Sequence, residues 1–221
     1  MIRALGPRYR ALAPDLRGHG TASDRRPVSF DAVLTDLDAL VAPGALLAGY
    51  SMGGRIALAY ALARPDRIAR LVLLGASPGL QDSAERAQRR AADNALAKRL
   101  EQIGVPAFAR AWAAQPLFAD QPPGVVATAH EDRLRHTPAG LAAALRGLGT
   151  GTMEPLWDRL GELRIPVTAA AGERDTKFLA LAQRMVKAIP GARFAAIAGA
   201  GHAAQLEQPE AVAALLESPE S

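Results

Sequence analysis

The stretch GYSMGGR, residues 49–55, decides how the rest of the chain is read. An apolar run, ALLAGY (45–50), leads into it, and a helical pattern, IALAYALARP (56–65), leads out and halts before a proline. A serine on a sharp strand-to-helix turn needs small residues on either side, and glycines stand two positions before and after Ser51. Such a turn lifts the Ser51 hydroxyl above the carboxyl edge of a sheet and aims the following amide, that of Met52, into the same space. The pattern alone also fits a glycine-rich helix cap, so its meaning depends on whether Ser51 has partners elsewhere.

Working outward, short apolar runs alternate with helical patterns. YRALAPD (9–15), IARLVLLGAS (68–77), IPVTAAAGERD (165–175) and ARFAAIAGAGH (192–202) read as strands, the last two closed by a polar turn. FLALAQRMVKAIP (178–190) and AVAALLE (211–217) read as helices. Alternation of this kind predicts an α/β fold with a mostly parallel sheet and helices on both faces. Residues 81–155 break the rhythm. QDSAERAQRRAADNALAKRLEQIG is one amphipathic helix, capped by Asp82 or Ser83, and further helices follow, separated by Pro and Gly. The expected organisation is a core of residues 1–80 and 156–221 with a helical cap inserted at 81–155.

Partners for Ser51 stand where strands end. GERD places Asp175 after one apolar run, and AGAGH places His202 after the next. The order Ser51, Asp175, His202 is that of α/β-hydrolases, and residues at the carboxyl ends of parallel strands converge on one edge of the sheet. In that reading His202 carries the proton, and Asp175 fixes its tautomer and stabilises the imidazolium.

Composition narrows the alternatives. The 221 residues are 49% hydrophobic and 22% charged, a globular balance with length for a sizeable core. The net charge of +4 comes from arginines scattered among acids, as in ERAQRR and HEDRLR, with no basic block, so no nucleic-acid partner is expected. No apolar run is long enough to span a membrane, and the opening MIRALGPRYR lacks the apolar core of a secretory signal. Cysteine is absent, which removes disulfides and thiolate metal sites and suits the cytoplasm. GTG (149–151) lacks the Lys-Ser/Thr ending of a phosphate loop, and no His/Asp/Glu cluster has metal spacing. His19, in RGHG, is read as organising its loop, and His130 and His136 as surface residues of the cap.

With these residues in view, the chain resembles the α/β-hydrolase-fold synthases of menaquinone biosynthesis, which make 2-succinyl-6-hydroxy-2,4-cyclohexadiene-1-carboxylate and release pyruvate. The resemblance rests on DLRGHG (15–20), GYSMGGRIAL (49–58), GASPGL with ERAQRR after it (75–90), FARAWAAQPLF (108–118), RLRHTPAGLAAALRGLGTG (133–151), PLW (155–157), GERDTKF and AGAGHAAQLEQP. GASPGL and LRGLGTG are far more specific to this family than G-x-S-x-G. The resemblance implies a tricarboxylate substrate, and three negative charges in a partly dry pocket call for arginine forks. Arg55, Arg89 and Arg133 match the family's carboxylate-binding positions, with Arg86, Arg90 and Arg135 as close competitors; Tyr50 and Trp112 are candidate pocket walls. It further implies catalysis by Ser51, Asp175 and His202, an oxyanion amide on Met52, and no cofactor. The expected assembly is a monomer or weak oligomer.

Two departures stand out. The GHGTAS loop carries one residue more than the family's His-Gly-x-Ser. The family's fold also begins earlier, with a central strand ending in His-Gly whose loop gives a second oxyanion amide. The expectation is therefore that these N-terminal strands are missing from the chain, with a weakened or unstable enzyme as the consequence. Two rival readings remain: a generic esterase, which needs a mostly apolar pocket, and a truncated, non-catalytic remnant of the fold.

Overall fold

The computed structural model describes residues 4–7 and 9–217. The N-terminal segment on which the missing-strand expectation bears lies partly outside the described residues, which omit 1–3 and 8. The chain divides into two compact units.

The first unit takes the chain up to Ala13, Asp38–Pro78 and the chain from Leu156 onward. It holds the four described strands, β1 (Ala45–Tyr50), β2 (Ile68–Leu74), β3 (Val167–Gly172) and β4 (Arg193–Ile197), all parallel and in the order β1-β2-β3-β4. β3 is buried from end to end, and its run of small residues, apolar but for Thr168, suits a strand covered on both faces. Among the described strands, β1 pairs with β2 alone, and it stays partly exposed. The helix α2 (Met52–Ala63) packs on β1 and β2, and α6 (Thr176–Ala188) on β3 and β4. Ile56 and Leu58 of α2 and Leu71 and Leu73 of β2 are almost wholly buried, each worth about 1.5–3 kcal/mol by removal from water. Leu74, Ala170, Ile197, Ala200, Ala204 and Val212 join the sheet's core to α7 (Ala204–Glu207) and α8 (Pro209–Glu217).

The expected strand over 9–15 does not form. Tyr9 and Leu12 are exposed, no described strand pairs with the segment, and Pro14 has no amide to give a ladder. A short apolar run becomes a strand only when a neighbour takes up its backbone groups.

The second unit takes Pro14–Leu37 and Gly79–Pro155. The helix α1 (Phe30–Leu40) runs across its boundary. α3 (Ser83–Ala113) begins at Asp82, whose side chain accepts the Glu85 amide at 2.7 Å, so Asp82 rather than Ser83 is the cap. α3 kinks at Gly104 (φ 73°, ψ 169°), two residues before Pro106, which cannot donate into the helix ladder. α4 (Pro123–Leu134) and α5 (Pro138–Leu148) follow, and Thr137 caps α5 by accepting the Gly140 amide. Ala97, Leu100, Val105, Phe108 and Ala142 form this unit's own core. Among the described residues, no helix is long and apolar enough to cross a membrane.

Candidate active site

Ser51 follows the last residue of β1 and opens α2 with φ 50° and ψ −110°, the one described non-glycine residue with positive φ. That conformation is strained for an L-residue and persists only where its surroundings hold it. The surroundings are visible. The Ser51 amide donates to the Leu74 carbonyl of the neighbouring strand at 2.9 Å, and the Ser51 carbonyl accepts the Arg55 amide at 3.1 Å. A Cβ on Gly49 would collide with the Gly53 backbone, and one on Gly54 would lie 2.5 Å from the Ala76 Cβ. Gly53 itself has open space at that position. Steric demand therefore falls on Gly49 and Gly54, whereas G-x-S-x-G names Gly49 and Gly53.

Asp175 sits three residues beyond β3 and caps α6, where its Oδ1 accepts the Phe178 amide at 3.4 Å. His202 lies five residues beyond β4. Both are buried. His202 Nδ1 donates to Asp175 Oδ2 at 2.6 Å, and Ser51 Oγ stands 3.1 Å from His202 Nε2. With Nδ1 committed to the carboxylate, Nε2 is the acceptor for the hydroxyl proton. The structure thus brings together three residues that are 151 and 27 positions apart in sequence.

The turns that carry Asp175 and His202 are tied directly to each other. The Arg174 amide donates to the Ala200 carbonyl at 2.9 Å and the Glu173 amide to the Ile197 carbonyl at 3.0 Å. Glu173 Oε2 accepts the Gly199 amide at 3.0 Å. Arg174 pairs with Glu207 Oε2 at 2.9 Å, and the same oxygen accepts the Gly201 amide at 2.7 Å. The Glu207 side chain is 2% exposed, so this carboxylate is a buried staple between GERD and AGAGH. Sequence reasoning missed Glu207; an acid five residues after His202, facing an arginine one residue before Asp175, was the available signal.

The remaining candidates divide between the units. In the first, Tyr50 ends β1 with its ring centroid 5.1 Å from that of His202, Met52 is the first residue of α2, and Arg55 lies one turn further on, half-buried. In the second, Arg89 Nε donates to Asp93 Oδ1 at 2.9 Å, and Asp93 is 4% exposed. The second oxygen of Asp93 is buried without a hydrogen bond among the described residues, against Gly149 of the GTG segment. Arg133 lies over the Phe118 ring at 5.5 Å, and Trp112 packs on the unit's core with Phe108 5.5 Å away. Of the competitors, Arg135 pairs with Asp15 and Asp132, and Arg86 donates to the Leu80 and Gln81 carbonyls.

The RGHG loop is built within the second unit. Thr21, inside the lengthened GHGTAS, donates through its amide and hydroxyl to Asp15 Oδ2, both at 2.9 Å, so the extra residue is absorbed in a short 3₁₀ turn, Gly20–Ala22. Hydrogen bonds from Arg135 and then from the Thr21 amide hold the Asp15 carboxyl well below the usual carboxylate range. His136 is not a bare surface residue: it is half-buried, and its Nδ1 accepts the Gly20 amide at 2.9 Å. His19 packs edge-on against it, with centroids 5.4 Å apart. Burial lowers the pKa of both histidines; for His136 the neighbouring His19 and Arg135 lower it further.

Residues 1–215 match the model of the alpha/beta hydrolase family. A Serratia proteamaculans (strain 568) protein named 2-succinyl-6-hydroxy-2,4-cyclohexadiene-1-carboxylate synthase is 32% identical over 226 residues, covering 98% of this chain and 85% of the relative. A Bacillus subtilis (strain 168) protein that bears the same name provisionally is 36% identical over 213 residues, 92% of this chain and 78% of the relative. The solved structure of MenH from S. aureus superposes with a TM-score of 0.85 at 35% identity, covering 91% of this chain and 79% of that one. A strained serine on a strand-to-helix turn, backed by a buried His–Asp pair at the ends of later strands, and a family match over nearly the whole length lead to one statement: the chain is a member of the alpha/beta hydrolase family.

Proposed function

We propose that the protein is a carbon–oxygen lyase of menaquinone biosynthesis. It eliminates pyruvate from 2-succinyl-5-enolpyruvyl-6-hydroxy-3-cyclohexene-1-carboxylate to give 2-succinyl-6-hydroxy-2,4-cyclohexadiene-1-carboxylate. The observation that carries the reading is the Ser51–His202–Asp175 relay, with contacts of 3.1 and 2.6 Å, in a chain similar over most of its length to synthases of that name.

The chemistry needs a base and an anion site. Ser51 passes its proton to His202 Nε2 as its oxygen takes the proton from the ring carbon beside the succinyl ketone. Asp175 balances the imidazolium so formed. The electrons of the broken C–H bond move onto the ketone oxygen, for which the Met52 amide, at the start of α2, is the assigned donor. The enolate then re-forms the carbonyl, its electrons making the C2=C3 bond as the C3=C4 pair moves to C4=C5 and the C5–O bond breaks; the leaving enolpyruvate takes up the proton that His202 releases and becomes pyruvate. The adjacent carbonyl stabilises the carbanion, so this sequence of steps calls on no cofactor.

Arg55 and Tyr50 are the substrate-binding candidates of the strand-bearing unit, and Arg89, Arg133 and Trp112 those of the helical unit. Guanidinium forks suit a tricarboxylate. Residues 1–80 with 156–221 are assigned as the catalytic core and 81–155 as the helical insertion. The enzyme is assigned to the cytoplasm, as a monomer or weak oligomer with a small-molecule substrate, without nucleic-acid or membrane partners. The test is pyruvate release from the tricarboxylate by the purified protein, followed by coupled NADH oxidation. Turnover supports the assignment. No release above the uncatalysed rate, or ester hydrolysis far exceeding it, rejects it.

A further inference from the structure

We propose that Phe178 is a positioning residue that aligns both partners of Ser51, holding His202 through its ring and Asp175 through its amide. The inference rests on the Ser51–His202–Asp175 reading above.

Phe178 is the third residue of α6, the helix that Asp175 caps. Asp175 has two carboxylate oxygens with separate tasks: Oδ2 receives His202 Nδ1–H at 2.6 Å, and Oδ1 receives the Phe178 amide at 3.4 Å. The amide contact, long at 3.4 Å, favours the carboxylate rotation in which Oδ2 faces His202. The same residue returns to the site through its side chain. The Phe178 ring centroid is 4.5 Å from that of His202, with the planes tilted by 42°.

Tyr50 and Gly75 also crowd the imidazole. The Tyr50 ring lies 5.1 Å away, tilted by 52°. Gly75, just past β2 with φ +56°, approaches so closely that a Cβ there would stand 3.2 Å from His202 Cε1 and 3.3 Å from Nδ1. Tyr50 belongs to the strand that presents Ser51, and Gly75 is held by its amide to the Ala170 carbonyl at 2.8 Å. Each is fixed by the sheet. Phe178 approaches the ring from α6, outside the sheet, and it is only half-buried. Without its ring, the imidazole gains room to rotate away from one of its two bonds, and a relay loses rate when donor and acceptor fall out of line.

The experiment uses Phe178→Leu, which keeps the amide and an apolar side chain but removes the ring, and Phe178→Tyr, which restores it. Phe178→Met is a second ring-less variant should Leu melt early. In Leu or Met, kcat for pyruvate release is expected to fall about 10–100-fold while KM stays within about twofold. Tyr is expected to recover most of the loss. The downfield proton resonance of His202 Nδ1–H, from its 2.6 Å bond to Asp175, should broaden or shift in the ring-less variants and persist in Tyr. Wild-type kcat with an unchanged resonance in a ring-less variant overturns the proposal, as does a loss that Tyr fails to recover or that tracks a lowered melting temperature alone. The resonance needs no turnover, so it decides the role of Phe178 even if the wild-type protein releases no pyruvate and the lyase reading falls.

Discussion

The strand-end loops of the first unit and the arginine-bearing helices of the second are built on different rules. In the first, every candidate catalytic residue lies within five positions of a strand's carboxyl end, and the register of a parallel sheet puts those ends side by side. Local sequence is then enough to say that Ser51, Asp175 and His202 meet. In the second unit, Arg89 pairs with Asp93, Arg133 with the Phe118 ring, Arg135 with Asp15 and Asp132, and Arg146 with Glu101. A guanidinium on a helix has several possible partners within one or two turns, and spacing does not choose among them. The lesson is that position in a sheet constrains chemistry much more tightly than position on a helix.

The contrast is sharpest where the expected effects are largest. Ser51→Ala and His202→Ala should each lower pyruvate release on the order of 10⁴-fold, since relay members act as a unit, while far-ultraviolet circular dichroism and the melt stay close to wild type. Near wild-type turnover in both would remove the basis for treating the strand-end loops as the reactive region. A finer probe separates the glycines of the turn. Gly54→Ala puts a Cβ 2.5 Å from the Ala76 Cβ and should destabilise by about 1–3 kcal/mol in urea unfolding. Gly53→Ala meets open space inside α2 and should be neutral or stabilise by about 0.4–1 kcal/mol. Equal losses at both positions would contradict the steric account of the turn.

In the helical unit, Asp93→Asn removes the charge that holds Arg89 Nε while keeping the shape of a 4% exposed side chain. The Arg89 side chain is 45% exposed, so solvent screens the pair, and the expected loss is about 1 kcal/mol by chemical unfolding. A rise in KM in the same variant would tie Arg89 to substrate binding; an unchanged KM would leave it a structural arginine. The smallest expected effect is on pH dependence. His19 and His136 have folded-state pKa values below the ordinary value of about 6.5, chiefly through burial, so the folded state prefers both rings neutral. Their contribution is complete above about pH 6.5 and is lost as pH falls toward the folded-state values, because the unfolded chain takes up protons first. Protonated His136 also forfeits the acceptor for the Gly20 amide. Melting temperature measured from pH 8 down to 5 should decline on the acid side, and His136→Asn should flatten the slope.

Reading the chain from its residues reached the α/β class because the period of the pattern changes wherever a strand gives way to a helix. It reached the meeting of Ser51, Asp175 and His202 because each is announced by a turn after an apolar run. It failed at YRALAPD, where the pattern was right but no neighbour takes up the ladder. It also failed at His136, read as a surface residue of the cap and found accepting the Gly20 amide. Glu207 and Phe178 were passed over because their importance lies in contacts with the turns at 173–175 and 199–202, not in a pattern of their own.

By itself, then, the sequence determined which residue types stand at the ends of which strands, and so which serine, aspartate and histidine meet at one edge of the sheet. Backbone periodicity and turn chemistry are local, and they survive without knowledge of the rest of the chain. Only the tertiary structure decided that Gly54 rather than Gly53 is crowded, which partner each cap arginine takes, and that Tyr50, Phe178 and Gly75 crowd the His202 ring. Those outcomes depend on distances between atoms far apart along the chain, and a side chain takes the partner that packing leaves within reach.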